Sequence, residues 1–131
     1  MTTKTSRPIS ILHIEDDEVV AGMAKEMLEV QEWEVETCLD GNVALEKISG
    51  NTHYELLLVD YDLPGANGLE LINRARELDH RCGTPIVMLS ATPVEAEARR
   101  AGADVFLQKP QDIGSLVETI NRLLEERAQE Q

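Results

Sequence analysis

Basic residues are scarce in this sequence. Its 131 residues contain 12 lysines and arginines against 25 aspartates and glutamates, which gives a formal net charge of -13 at pH 7. Proteins that bind nucleic acid directly need lysine and arginine to neutralise phosphates. The charge balance therefore argues against direct nucleic-acid binding. Most of the acidic residues are expected to lie on a solvated surface that keeps the protein soluble.

Long apolar segments are also missing. No apolar run approaches the roughly 18 residues that a membrane-spanning helix needs. The opening segment, MTTKTSRPIS, lacks the apolar core of a signal peptide. We therefore expect a cytoplasmic protein that does not enter membranes. The two cysteines, Cys38 and Cys82, form no metal or redox motif, and we expect buried thiols rather than a disulfide.

The length of the chain suits one domain, because 131 residues can bury a core but are too few for two. Apolar and polar segments alternate without a linker, an internal repeat or a low-complexity stretch. We predict a single domain over residues 1–131, with a core of about residues 9–127. Flexible tails are expected at residues 1–8 and 128–131.

Strand-like and helix-like segments alternate along the chain. The predicted strands are short apolar runs at residues 9–14, 33–38, 54–60, 84–90 and 103–108. The second run alternates with glutamates, which is typical of an edge strand. Each run is followed by apolar residues at helical spacing. This alternation predicts an α/β fold, a doubly wound parallel sheet of five strands with five helices on its two faces.

Three of the predicted helices begin with a capping signal. Asp17 and Asp112 precede the first and last helices. Before the fourth helix, Thr92 stands as N-cap, Pro93 as the first helical residue and Glu95 three residues beyond the cap. The fourth helix has little apolar surface beyond alanine. We expect it to pack weakly and to be the most mobile helix.

The carboxyl ends of four predicted strands are marked by charged or hydroxyl residues. Glu15 and Asp16 follow the first strand, Asp60 closes the third, Ser90 closes the fourth, and Lys109 follows the fifth. All strands of a parallel sheet end at the same edge, and ligands bind there. The topology therefore predicts that these five side chains share one rim.

Three carboxylates on one rim repel one another, by about 4 kcal/mol per pair at about 4 Å and an effective dielectric near 20. Lys109 supplies one compensating charge, and a hard divalent cation would supply the rest. The ligands on offer are oxygens, which suit Mg²⁺ better than zinc. The set fits phosphoryl chemistry, with Asp60 as candidate nucleophile and with Ser90 and Lys109 as partners of phosphoryl oxygens.

Four motifs carry a family resemblance: ILHIEDDE, VDYDLPGANG, VMLSA and FLQKP. With these motifs in this order and spacing, the chain resembles the receiver domain of bacterial two-component response regulators from about residue 9 to residue 124. The resemblance implies a flavodoxin-like three-layer sandwich with strand order 2-1-3-4-5. It also implies that Asp60 accepts a phosphoryl group from a histidine kinase, a histidine phosphotransfer protein or a small phosphodonor.

The resemblance assigns further roles around the phosphoacceptor. Asp16 would bind Mg²⁺ directly and Glu15 through water, and Asp60 and the backbone carbonyl of Asp62 would complete the protein ligands. The phosphoryl group would contact three residues of neighbouring strand ends: Ser90, Ala91 and Lys109. In the family, the peptide bond between Lys109 and Pro110 is usually cis.

Three further positions are implied to control the signal. Phe106 stands at the switch position together with Ser90, and without a hydroxyl it could act only through its rotamer; packing in the core is its other open role. Asp62 and Thr92 would tune the lifetime of the phosphate, although for Asp62 taken alone an exposed loop acid is the favoured interpretation. Residues 94–127 would form the surface that contacts a downstream protein target.

Taken together, the resemblance implies a phosphorylation-dependent switch, monomeric or dimeric on phosphorylation. It would not be an enzyme, beyond catalysing its own phosphorylation and dephosphorylation. Two alternatives stay open. One is a phosphohydrolase of the haloacid-dehalogenase type, with Asp60 and Asp62 as its paired aspartates. The other is a pseudo-receiver that binds partners without being phosphorylated.

Overall fold

The computed structural model describes residues 8–129, and within them the chain alternates strand and helix. The strands are β1 Ser10–Ile14, β2 Glu34–Cys38, β3 Leu56–Val59, β4 Ile86–Ser90 and β5 Val105–Gln108. The helices are α1 Glu18–Glu29, α2 Gly41–Ser49, α3 Gly68–Glu77, α4 Glu95–Ala101 and α5 Leu116–Gln129, with a 3-10 turn at Ile113–Ser115 before the last. Each strand starts one or two residues later than the apolar pattern predicts.

The five strands form one parallel sheet in the order β2-β1-β3-β4-β5. The predicted fold class, strand order and edge position of β2 are confirmed. The sequence order reverses at β1, which lies between β2 and β3. The crevice expected at such a reversal lies beyond the carboxyl ends of β1 and β3.

Apolar residues on the two faces of the sheet make two separate cores. One face packs against α1 and α5, through residues such as Leu28 and Ile120. The opposite face packs against α2, α3 and α4, through residues such as Ile48, Leu71 and Ala98. The central strands are buried on both faces, which is why their sequences are almost continuously apolar. The result is the predicted three-layer sandwich.

One of the three predicted side-chain N-caps is present in the structure. The carboxylate of Asp17 accepts hydrogen bonds from the amides of Val19 and Val20 at 2.9 and 3.2 Å, as predicted. The prediction for Asp112 is wrong, since its carboxylate accepts from the Gln108 amide at 2.9 Å and makes no side-chain cap. The prediction for Thr92 is also wrong, because α4 begins at Glu95 without a side-chain cap.

Several further expectations can be compared with the described residues. Among residues 8–129, no helix combines the length and apolarity required to cross a bilayer. Cys38 is a buried free thiol, whereas Cys82 is free but exposed, so the prediction of buried thiols holds for one of the two. The predicted tails, residues 1–8 and 128–131, lie mostly outside the described residues, and α5 includes residues 128 and 129.

Candidate functional site

Three carboxylates converge at the carboxyl edge of the sheet. Glu15 follows β1 and is only 1% exposed, Asp60 follows β3 and is 5% exposed, and Asp16 is exposed to solvent. One oxygen from each of the three lies within 4.8 Å of the others. The convergence that was predicted from the topology is therefore confirmed, and these three residues are named the acidic pocket below.

The backbone pairing of β1 with β3 places the acidic pocket at the carboxyl ends of these two strands. Ile14 of β1 pairs with Val59 of β3, so the next residues, Glu15 and Asp60, leave the sheet side by side. The Asp60 amide continues the ladder by donating to the Ile14 carbonyl at 3.0 Å. Gly68 starts α3 directly beneath this point: a β-carbon there would lie 2.2 Å from the Asp60 carbonyl oxygen. Only a residue without a side chain lets α3 pack this close to the pocket.

Lys109 reaches the acidic pocket from β5. Its Nζ lies 2.8 Å from Glu15 Oε1 and 3.4 Å from Asp60 Oδ2, and its side chain is 12% exposed. The Lys109–Pro110 peptide bond is cis, as the resemblance implied. The other oxygen of Asp60, Oδ1, accepts from the Tyr61 amide at 2.7 Å. Both oxygens of the proposed phosphoacceptor are thus held by neighbouring donors.

The acidic pocket is short of positive charge. Three carboxylates and one ammonium leave a formal charge of -2 when all are ionised. Burial raises the pKa of Glu15, although hydrogen bonds from Lys109 and the Asp17 amide act in the opposite direction. Burial lowers the pKa of Lys109, but the hydrogen bond to Glu15 and the charges of Asp60 and Glu15 outweigh it, so this pKa is raised. The lysine is therefore firmly charged, and the carboxylates still lack a full counter-charge.

A buried histidine lies behind the pocket and adds no charge to it. Burial, followed by the charge of Lys109, lowers the pKa of His13 to about 4. Its Nδ1 has no hydrogen-bond partner within residues 8–129. A neutral imidazole cannot offset the carboxylates at neutral pH.

The donor set of the pocket fits Mg²⁺. All three converging side chains offer carboxylate oxygens, the hard ligands that Mg²⁺ prefers, and no cysteine or histidine belongs to the group. Beside them opens a cleft of about 370 Å³ lined by Asp16, Tyr61, Asp62, Leu63, Pro64 and Asn67. The cleft leaves room for a cation with its water ligands.

The hydroxyl of Ser90 lies at the end of β4, the strand next to β3. Ser90 is fully buried, and its Oγ accepts from the Thr92 amide at 3.1 Å. Ala91 follows as an exposed residue whose carbonyl accepts from the Gln108 side chain at 2.9 Å. Since Ser90 Oγ receives one hydrogen bond, its own hydroxyl hydrogen is available to a further acceptor.

The two predicted tuning residues contact each other, which the sequence reasoning did not anticipate. The Thr92 hydroxyl donates a hydrogen bond to Asp62 Oδ2. Both residues stand two positions after a strand-end site residue, Asp60 and Ser90, on neighbouring parallel strands. This matched offset was the available signal, because equal distances past paired strand ends bring side chains together.

Phe106 packs in the core. It is 9% exposed, lies opposite Met88 on β4, and belongs to the core on the α3 and α4 face. Core packing, one of the two roles left open by the sequence, is present. The switch role stays a prediction.

The fold and the acidic pocket together define a flavodoxin-like domain with a cluster of carboxylates, able to hold a metal ion, at its carboxyl edge. The family model described as response regulator receiver domain matches residues 11–121. The chain therefore belongs to the response regulator receiver domain family. Family membership favours the receiver over the phosphohydrolase alternative.

Individual relatives agree with this assignment. The regulatory protein VanRB of Enterococcus faecalis is 36% identical over 119 residues, covering 88% of this chain and 52% of that protein. The response regulator ArlR of Staphylococcus saprophyticus is 34% identical over 122 residues, covering 91% and 54%. The chain thus spans about half the length of these curated relatives. A CheY-like receiver domain protein from Methanospirillum hungatei superimposes with a TM-score of 0.87 at 30% identity, covering 95% of this chain and 100% of that one.

Proposed function

We propose that this chain is a phosphorylation-dependent switch that accepts a phosphoryl group on Asp60 from a histidine kinase, a histidine phosphotransfer protein or a small phosphodonor. The observation that carries the proposal is the buried Asp60 carboxylate, held beside the Lys109 ammonium in a pocket that opens to a cleft. A carboxylate oxygen forms the new bond to phosphorus while the bond from phosphorus to the donor nitrogen or oxygen breaks. The leaving group takes a proton from solvent.

The oxygens of Glu15, Asp16 and Asp60, with the backbone carbonyl of Asp62, would hold Mg²⁺. When bound, the cation supplies positive charge to the phosphoryl oxygens and to the crowded carboxylates. Lys109 fixes Glu15 and neutralises a phosphoryl oxygen on its own side of the pocket. The Tyr61 amide orients Asp60 through Oδ1, which limits the rotation of the nucleophile.

Residues around the pocket bind the product. Ser90 donates its free hydroxyl hydrogen to a phosphoryl oxygen, and the backbone at Ala91 borders the same position. A phosphoryl group adds about -1.5 to -2 charge and three acceptor oxygens, enough to draw a hydroxyl and a lysine together. Phe106, two strand positions from the last residue of β5, transmits this change through its rotamer to the surface of residues 94–127.

This surface would contact a downstream protein in the cytoplasm, as a monomer or as a dimer formed on phosphorylation. Asp62, which lines the cleft, and Thr92, whose hydroxyl donates to Asp62, would set the lifetime of the phosphate. The chain has no substrate that it turns over in this proposal; it catalyses only its own phosphorylation and dephosphorylation. Direct nucleic-acid binding is not part of the proposed role, given the formal charge of -13.

Mass spectrometry after treatment with acetyl phosphate tests the proposal. We expect one phosphoryl group per chain in the presence of Mg²⁺ and none in EDTA. Asp60→Asn should remove the label, whereas the control Asp79→Asn, at an exposed aspartate outside the pocket, should keep it. Asp16→Asn should raise the Mg²⁺ concentration needed for labelling.

Two other outcomes would replace the proposal. Steady turnover of a phosphomonoester, without accumulation of a labelled protein, would favour the phosphohydrolase. Absence of label from the wild type with both acetyl phosphate and beryllofluoride would favour a pseudo-receiver.

A further inference from the structure

The start of α4 differs from what its sequence specifies. Residues 92–95, Thr-Pro-Val-Glu, have the sequence of a capping box with proline at the first helical position. The residue before a proline favours the extended backbone that an N-cap needs. In the structure the helix starts only at Glu95, its N-cap is Val94, and no side chain caps it. A strong local signal is therefore overridden at this position.

Each part of the capping box is engaged elsewhere. The Thr92 hydroxyl donates to Asp62, and the Thr92 amide donates to Ser90 Oγ at 3.1 Å. The Glu95 carboxylate, which would bond the Thr92 amide in a capping box, accepts from Arg99 Nε at 3.1 Å instead. The Thr92 carbonyl accepts from the Val94 amide at 2.9 Å, a tight turn in place of a helical bond. Two of these bonds tie Thr92 directly to residues of the candidate functional site.

The other end of α4 is fixed. The Gly102 amide donates to the carbonyls of Ala98 and Arg99, both at 3.1 Å. The Gly102 carbonyl in turn accepts from Arg76 Nε and Nη2 at 3.0 and 2.8 Å, which joins the helix end to α3. Arg76 Nη1 also bonds the carbonyls of Cys82 and Thr84 before β4. Any change in the length of α4 therefore takes place at its amino end.

We propose that Thr92 exchanges partners when Asp60 is phosphorylated, releasing Asp62 and capping α4, which then begins at Pro93. This inference rests on the proposed function and names how the same site is read out. The phosphoryl group brings negative charge two residues from Asp62, which repels that carboxylate from the cleft. A Ser90 hydroxyl drawn to the phosphoryl group moves away from the Thr92 amide. Both bonds that hold Thr92 are weakened by the same event.

The exchange lengthens α4 from its present seven residues to nine, Pro93 to Ala101. New helical bonds run from the amides of Ala96 and Glu97 to the carbonyls of Thr92 and Pro93. The Glu95 carboxylate becomes available to the Thr92 amide, which completes the capping box. The partner surface of residues 94–127 then gains an ordered leading edge. A downstream protein would distinguish the two states by the length of this helix.

Amide hydrogen exchange of Ala96 and Glu97, measured by NMR, tests the proposal. In the wild type, Mg²⁺ with beryllofluoride, a mimic of the phosphoryl group, should slow both amides by about fivefold, the usual effect of one threonine cap. Asp62→Ala should slow the same amides without any beryllofluoride, because Thr92 has lost its competing partner. Thr92→Val should show no slowing in either state, and Thr92→Ser should behave like the wild type.

Measurements on these variants, with and without beryllofluoride, test this inference separately from the proposed function. Equal slowing in Thr92→Val and wild type, or unchanged exchange in metal-free Asp62→Ala, would overturn the partner exchange. A fluorine NMR signal reports independently whether beryllofluoride binds at Asp60. If it does not bind, the proposed function fails, and the metal-free Asp62→Ala measurement still decides whether Thr92 can cap α4.

Discussion

Replacing Asp60 by asparagine should stabilise the metal-free protein by about 1–2 kcal/mol. Two Coulomb terms of opposite sign involve this carboxylate. At the 4.8 Å limit that separates it from Glu15, the repulsion is about 3.5 kcal/mol at an effective dielectric near 20, and solvent reduces the repulsion from the exposed Asp16 to about 1 kcal/mol. The attraction to Lys109 at 3.4 Å is about 5 kcal/mol on the same scale. The charge terms nearly cancel.

The cost of desolvating the carboxylate then decides whether Asp60→Asn stabilises or destabilises the protein. Burying a carboxylate costs several kcal/mol more than leaving it in water, and Asp60 is 5% exposed. An asparagine amide is cheaper to bury, and its Oδ1 can still accept from the Tyr61 amide. Lys109 keeps its closer partner, Glu15, at 2.8 Å, so the substitution leaves no ammonium unpaired. The net effect is a more stable fold that lacks the proposed phosphoacceptor.

Urea unfolding in EDTA measures this difference. With a slope of about 1–3 kcal/mol per molar urea, the midpoint should rise by about 0.3–2 M. The control Asp79→Asn removes an exposed acid in the turn after α3, and its stability should stay within about 0.5 kcal/mol of wild type. A loss of more than about 1 kcal/mol in Asp60→Asn would refute the reasoning, because the pair with Lys109 would then outweigh desolvation. Adding Mg²⁺ should stabilise the wild type more than the variant.

Three further outcomes are expected. Gly68→Ala should lower the unfolding free energy by about 1–3 kcal/mol, because its β-carbon would lie 2.2 Å from a backbone carbonyl oxygen. The control Gly22→Ala, on an open helix surface, should be neutral or stabilising. Equal effects of the two substitutions would contradict this contact. Lys109→Gln should lower metal-free stability by about 1–3 kcal/mol in urea unfolding, because two buried carboxylates lose their cation; unchanged stability would contradict the pairing. Burial, followed by the hydrogen bond to Glu36, raises the pKa of Tyr54 to about 12. The stability that the protonated phenol contributes is therefore present below pH 10 and is lost as the pH rises towards 12. Phenolate absorbance of the Tyr61→Phe variant should therefore titrate near 12 in the folded protein, and a midpoint near 10 would contradict the environment described.

The strand ends were the most predictable part of the site. Glu15, Asp60 and Ser90 each follow an apolar run, and a parallel sheet must bring such positions to one edge. No side-chain detail is needed for that conclusion. The reach of Lys109 past the ends of β4 and β3 to Glu15 depends on side-chain length and burial, and only the structure supplies its distances.

Side-chain competition explains where the sequence reasoning failed. A capping rule considers only four neighbouring residues, but the hydroxyl of Thr92 donates its hydrogen bond to Asp62, which is 30 positions away in the chain. Arg81 is a similar case: it is 1% exposed, stacks on the ring of Tyr54, and donates to the carbonyl of Ile48 at 2.9 Å across 33 positions. No local pattern identifies an arginine that closes the end of a helix from another element. Such contacts are decided by which groups the fold leaves without partners.

The ion pair between Glu15 and Lys109 joins residues that lie 94 positions apart in the chain. A molecule that has not yet docked its fifth strand, or that has been cut before it, carries Asp60 without the lysine that completes its surroundings. Under the proposed function, such a molecule lacks the ammonium that neutralises a phosphoryl oxygen at Asp60. An incomplete or truncated copy would therefore accept a phosphoryl group poorly.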